Sequence, residues 1–248
     1  SNNSFPHSSG IASSASGMSA LSLCILSFEK DLTDLNNEEY FYKKASFLSR
    51  IGSGSACRSI YGGINLWGDN DEFKNSSDLY SIRLEENISS NFNNYRDTIL
   101  IIDNNEKEVS SSVGHELMND HPFSELRFSQ AFENISKLNS ILKSGNLHEF
   151  CQLVESEALT LHSLMMSSDP SYLLMKSETL SVINEIQKFR NSSNIPVCFT
   201  LDAGANVHVL YPDKNSHEVS DFIKNNLSSY CANGRFIDDI IGKGPKQN

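Results

Sequence analysis

Phe5-Pro6-His7-Ser8-Ser9-Gly10-Ile11-Ala12-Ser13-Ser14-Ala15-Ser16-Gly17 is the stretch on which the reading of this chain turns. This loop of Pro, Ser and Gly runs without a break into Met18-Ser19-Ala20-Leu21-Ser22-Leu23-Cys24-Ile25-Leu26-Ser27-Phe28, an apolar run that predicts a buried helix. Gly10 has no Cβ, so another backbone or a phosphate can approach it closely. Ser13 and Ser14 stand where a helix N-cap is expected, with hydroxyls facing outward. A helix start of this kind attracts anions through its N-terminal amides and its dipole. On these residues alone two readings stand side by side: an anion-binding loop, or a Ser-rich cap on a core helix.

Pro6 to Ala15, written Pro-x-x-x-Gly-Ile-Ala-Ser-Ser-Ala, resembles the ATP-phosphate loop of the GHMP kinase superfamily. The longer run Asn3 to Gly17 is similar to the superfamily's decarboxylating branch, the diphosphomevalonate decarboxylases, and it lacks the Gly-Lys-Ser/Thr of a Walker-type loop. The resemblance implies that Ser1, Ser9, Gly10, Ala12, Ser13 and Ser14 contact ATP, cradling its phosphates with backbone amides and serine hydroxyls.

Composition sets the outer limits. At 248 residues, 38% hydrophobic and 21% charged, the chain reads as an ordinary soluble globular protein of one large or two modest domains. No apolar run approaches the roughly 20 residues of a membrane span, and the start lacks the layout of a signal peptide. Net charge is −11, with 20 Lys and Arg against 31 Asp and Glu, which weighs against nonspecific nucleic-acid binding. Five cysteines (Cys24, Cys57, Cys151, Cys198, Cys231) without CxxC spacing read as reduced thiols of a cytoplasmic protein, with no zinc site or disulfide frame.

Past the first helix, Asp34 to Glu39 offers an N-cap and first-turn acids. Phe41, Ala45 and Leu48 then mark one face of a second helix, ending near Arg50. Gly52-Ser53-Gly54-Ser55-Ala56-Cys57-Arg58 breaks that helix in an amide-rich turn with one bidentate cation, suited to a carboxylate or phosphate. A plain turn with a surface arginine explains the same residues. The whole run Gly52 to Gly63 is similar to the decarboxylase signature, and the resemblance implies that Arg58 holds the substrate carboxylate while Ser53 and Ser55 contact its diphosphate.

Asp69 to Asp97 reads as loop plus edge strand and as the linker between domains; Thr98 to Ile102 reads as a buried strand. Val109 to Met118 is a second Ser/Gly loop that resembles the family's diphosphate-binding loop, with Ser111 as its contact and Ser112 where some bacterial members carry Arg. His115 and His121, at i, i+6, read as loop or surface histidines, and His162 as a packed polar residue. Three helices follow, with predicted faces Phe128/Phe132/Ile135/Leu138/Leu142, Phe150/Val154/Ala158/Leu161/Met165 and Leu180/Ile183/Ile186/Phe189, the first stopped at Gly145-Asn146. Strands Val197–Leu201 and Val207–Tyr211 flank Asp202-Ala203-Gly204-Ala205-Asn206, which by itself is an ordinary turn. It resembles the family's Asp-Ala-Gly-Pro-Asn motif with Ala205 in place of Pro, and the resemblance implies that Asp202 is the catalytic acid–base group. The closing Gly242 to Lys246 resembles the family's Gly-x-Gly-Pro end.

The expected architecture is α+β. It is a GHMP kinase two-domain fold, with an incomplete ribosomal protein S5 domain 2-like N-terminal domain over 1–95 and a ferredoxin-like α/β sandwich over 96–248. The resemblance implies a lyase: ATP- and Mg²⁺-dependent decarboxylation of mevalonate 5-diphosphate to isopentenyl diphosphate by a cytoplasmic homodimer, with no nucleic-acid or membrane partner. It also implies a substantial segment ahead of the phosphate loop, carrying strands and a substrate-facing lysine. The expectation is therefore an N-terminally truncated piece, inactive by itself. A noncatalytic anion- or nucleotide-binding fragment and a related GHMP small-molecule kinase are the alternatives.

Overall fold

The computed structural model describes Phe5 and residues 11–33, 37–84, 87–104 and 116–246. These fall into two units, one of residues 11–84 with 241–246, the other of residues 87–104 and 116–240.

In the first unit, α1 (Ser13–Thr33) is followed by α2 (Glu38–Gly52). Asn37 caps α2 by accepting from the Tyr40 amide, and Glu38, Glu39 and Arg50 complement its dipole at the two ends. The buried residues of α1 are Ala15, Ser19, Ser22 and Leu26, a narrow stripe of mostly small side chains that lets α2 and a 3₁₀ helix (Gly54–Ile60) pack close. The expectation of a buried helix is corrected here. Leu21, Ile25, Phe28 and Leu32 are 52–70% exposed, because among the described residues α1 has cover on one side only. Beyond the 3₁₀ helix, β1 (Asn65–Gly68) pairs antiparallel with β2 (Ser77–Arg83). The chain end returns to this unit: Gly63 N–H donates to the Gly242 carbonyl at 2.8 Å, and a Cβ on Gly62 would overlap the backbone of Lys243 and Gly244. That close approach is the physical reason for glycine at 62.

In the second unit, β3 (Tyr95–Leu100) leads to α3 (Ser124–Ser144), α4 (Leu147–Ser167), α5 (Ser177–Ser193), β4 (Cys198–Leu201), β5 (Val207–Pro212), a short α6 (Ser216–Phe222) and β6 (Phe236–Ile240). The four strands form an antiparallel sheet in the order β4-β5-β3-β6. Gly145 stops α3 in the left-handed conformation (φ 75°), and Asn146 then caps α4. Val182, Ile183 and Ile186 of α5 and Val219 and Phe222 of α6 bury against Phe199, Val207, Val209 and Tyr211 of the sheet.

Two predicted placements are corrected in this unit. Phe128 and Phe132 of α3 are 55% and 59% exposed, not buried. In its first half α3 meets α4 through polar contacts: Arg127 pairs with Glu157 at 2.6 Å and Asn134 donates to it at 2.5 Å. A carboxylate on α4 recruits these partners and turns the aromatic face outward. Leu180 is exposed as well, with Thr179 buried beside Val182 and Ile183. His121 lies in a loop, one of the two placements expected for it, and is buried there; its ring bonds Ser167 Oγ at 3.2 Å and accepts from the Phe123 amide at 3.2 Å. His115 lies outside the described residues.

Candidate active site

The two units each carry part of the predicted constellation. In the first, Ala12 takes the left-handed conformation (φ 56°) and its carbonyl receives the first bond of α1, from the Ser16 amide at 3.1 Å. Ser13 and Ser14 therefore sit inside the first helical turn, one step past the predicted cap position. The reason is that Ala12, not a serine, makes the sharp bend into the helix. The amides of Ser14 and Ala15 precede the helix's own hydrogen-bond ladder, the arrangement that accepts an anion. Ser14 is exposed, and its Oγ lies 3.2 Å from the Oγ of Ser53, 39 residues away. The first turn of α1 and the Gly52–Arg58 turn thus meet through two hydroxyls.

Ser53 is extended (φ −158°) between α2 and the 3₁₀ helix. Ser55 is half-buried on that helix, and Arg58 is exposed, its guanidinium making no ion pair or hydrogen bond among the described residues. The helix is anchored from below by buried hydroxyls. The Cys57 carbonyl accepts from Ser46 Oγ at 3.0 Å and Ser81 Oγ at 2.6 Å, and the Ser81 amide donates to Ser46 Oγ at 2.9 Å. Burial pushes the Cys57 thiol above its ordinary range against the opposing effect of the Arg58 charge, so the thiol stays neutral and donates to the Gly54 carbonyl at 3.1 Å. The result is a guanidinium held at the surface on a short helix whose backbone is fixed by side chains.

In the second unit, Asp202 is exposed at the start of the turn between β4 and β5. Its Oδ1 accepts from the Ala203 amide at 2.8 Å. The turn is tied down from several sides. The Asp202 carbonyl lies 3.2 Å from Nε2 of His162, a 2% exposed residue of α4. Thr179, buried in the first turn of α5, donates to the Ala205 carbonyl at 2.7 Å. Asn206 accepts through Oδ1 from the amides of Ile102 and Asp103, at 2.8 and 3.0 Å. Burial pushes the His162 imidazole below its ordinary range, which favours the neutral ring.

Ser1, Ser9, Gly10, Ser111 and Ser112 lie outside the described residues. Reading the sequence for packing placed His162 in the interior but not under Asp202, because nothing local links residues 40 positions apart. Thr179 was passed over as well; its signal is a β-branched hydroxyl in the first turn of α5, where it also accepts from the Lys176 amide at 3.1 Å. Among the described residues no group of three or more His, Cys, Asp or Glu is arranged to hold a metal ion, and no helix is long and apolar enough to cross a membrane.

With this geometry in hand, similarity to known proteins is informative. Residues 1–79 match the family model of the diphosphomevalonate decarboxylase-like N-terminal domain, and residues 98–242 match that of the mevalonate 5-diphosphate decarboxylase C-terminal domain. The diphosphomevalonate decarboxylase of Aspergillus fumigatus is 27% identical over 227 residues, covering 90% of this chain and 54% of that protein, so the chain spans about half of that relative's length. The crystal structure of mevalonate diphosphate decarboxylase from Staphylococcus aureus superposes with a TM-score of 0.79 at 28% identity, covering 97% of this chain and 68% of that one. A structure of MDDEF in complex with MVAPP, AMPPCP and magnesium superposes with a TM-score of 0.75 at 27% identity, over 97% of this chain and 68% of that chain. With more than half of its length matched by the C-terminal domain model alone, and the N-terminal model matched ahead of it, this chain belongs to the mevalonate diphosphate decarboxylase family of GHMP-fold proteins.

Proposed function

We propose that this chain takes part in the ATP-dependent decarboxylation of mevalonate 5-diphosphate. The 3-hydroxyl receives the γ-phosphoryl group of ATP, phosphate leaves, and the carboxylate departs as CO2 while its bonding pair forms the double bond of isopentenyl diphosphate. ADP and phosphate are the other products. The observation that carries the reading is the Asp202 turn: an exposed carboxylate on a turn fixed by buried side chains. An acid–base group that must meet one hydroxyl needs that kind of preorganised support.

Each residue then has a role. Asp202 orients the tertiary hydroxyl and takes or relays its proton. Arg58 grips the carboxylate at two points, and Ser53, Ser55 and Ser111 contact the diphosphate. Ala12, Ser13 and Ser14, with Ser1, Ser9 and Gly10, receive the ATP phosphates at the start of α1. The donor set fits that ligand, since first-turn amides and an exposed hydroxyl pair suit an anion. Mg²⁺ would arrive with the nucleotide phosphates and would neutralise their charge. A cytoplasmic homodimer is part of the same reading and rests on the family resemblance.

The test is to supply the protein with mevalonate 5-diphosphate, ATP and Mg²⁺ and follow ADP and CO2 together. Equal yields of both support the decarboxylase. ADP without CO2 would support a small-molecule kinase, and nucleotide binding without either product would support a noncatalytic binding protein.

A further inference from the structure

Resting on the role just given to Asp202, we infer that His162 is a positioning residue that sets the direction of the Asp202 carboxylate by holding the peptide unit between Asp202 and Ala203. The Asp202 carbonyl and the Ala203 amide are the two ends of one peptide plane, and they point in opposite directions because that plane is rigid and trans. His162 Nε2 holds the carbonyl end at 3.2 Å. The Asp202 carboxylate docks through Oδ1 on the amide end at 2.8 Å. Fixing the carbonyl therefore fixes the amide, and the amide holds one oxygen of the carboxylate.

The bond also settles the ring's tautomer. A carbonyl oxygen can only accept, so His162 Nε2 carries the proton. A 2% exposed imidazole in mid-helix costs stability unless its donor is used, and an apolar residue would fill the same space on α4. Thr179 and Asn206 hold the far end of the turn at Ala205 and at Ile102–Asp103, but neither touches the peptide on which the carboxylate rests. His162 alone of the three acts on that plane.

The test compares His162→Phe, which keeps a ring but loses the donor, with His162→Gln, which keeps an N–H donor. In the decarboxylation assay, His162→Phe should lower kcat about 10- to 100-fold, the scale of a carboxylate displaced by about 1 Å, with KM for both substrates within twofold. His162→Gln should recover most of the loss. A kcat within twofold of the parent for His162→Phe overturns the inference, as does equal impairment in both variants, which would mark a purely structural role. Two measurements stand apart from turnover. In the parent chain, ¹⁵N NMR of His162 should find the proton on Nε2 at neutral pH; the other tautomer overturns the inference. In His162→Phe, the Ala203 amide should exchange with solvent about tenfold faster, while Phe199 and Val209 amides keep their rates; unchanged Ala203 exchange overturns it. If the parent chain turns over no substrate while these two results hold, this chain does not carry out the assigned reaction by itself and the positioning of Asp202 stands.

Discussion

Among the described residues of the first unit the buried apolar cluster is Leu26, Ala45 and Ile60, with Leu23, Phe41, Tyr42, Leu48 and Tyr61 partly buried against it, whereas in the second it runs through helices and sheet from Leu100 to Cys231. The first unit supports Arg58 with hydroxyl-to-carbonyl bonds from Ser46 and Ser81, and among the described residues nothing covers one face of its leading helix. The second supports Asp202 from a dense core, with large side chains such as Phe199, Tyr211 and Ile186 almost wholly out of water. A neutral hydrogen bond contributes about 1 kcal/mol net, and a fully buried Phe or Ile about 1.5–3 kcal/mol. The contrast teaches that, among the described residues, the surroundings of Arg58 are locally precise on a small apolar cluster, while those of Asp202 are precise because they rest on a large one.

The largest expected effect tests the chemistry of the well-cored unit. Asp202→Asn keeps the shape of the turn and the amide contact but cannot take a proton, so turnover should fall about 100- to 10,000-fold with melting unchanged. Turnover near the parent value would remove Asp202 from the mechanism. Next come core truncations that set the two units against each other. Phe199→Ala should cost the second unit about 3–5 kcal/mol, and Leu26→Ala should cost the first about 2–5 kcal/mol. Followed by urea unfolding with probes in each unit, each change should move its own transition and leave the other in place; a single shared transition shifted by both would break the comparison.

Arg58→Lys is a smaller change in the first unit. An ammonium cannot reproduce the planar two-point grip, so kcat/KM should drop about 10- to 100-fold while the hydroxyl network below keeps the fold. Full activity in the lysine variant would mean that charge alone is needed. The smallest effect is a pH dependence confined to the second unit. Burial holds the His162 pKa below its ordinary 6.5, so the unfolded chain binds more protons there as pH falls through 6.5. The contribution of the neutral ring is thus fully present above that pH and is lost toward the lower folded pKa, at no more than about 1.4 kcal/mol per pH unit. Urea midpoints of the second unit between pH 7.5 and 5.5, for the parent and His162→Gln, should diverge at the high end and converge at the low end; parallel curves would count against it.

Much of this molecule was legible from its residues in order. The helix through Met18–Phe28, which begins five residues earlier than its apolar run at Ser13, the break at Gly52, the stop at Gly145 and the strands around Asp202 follow from apolar spacing and from residues that cap or turn the chain. These are local causes, and each acts within a few residues. The family resemblance was legible for a related reason: the Ser/Gly loops and the Asp-Ala-Gly turn are contiguous motifs. What only the tertiary structure decided was how those pieces face one another. Spacing alone predicted Phe128 and Phe132 inside, yet Glu157 on the neighbouring helix drew Arg127 and Asn134 inward in their place. Ser14 meets Ser53 across 39 residues, and His162 meets the Asp202 carbonyl across 40. Such pairings depend on which buried polar groups need partners once helices and sheet have packed, and that need arises only in three dimensions.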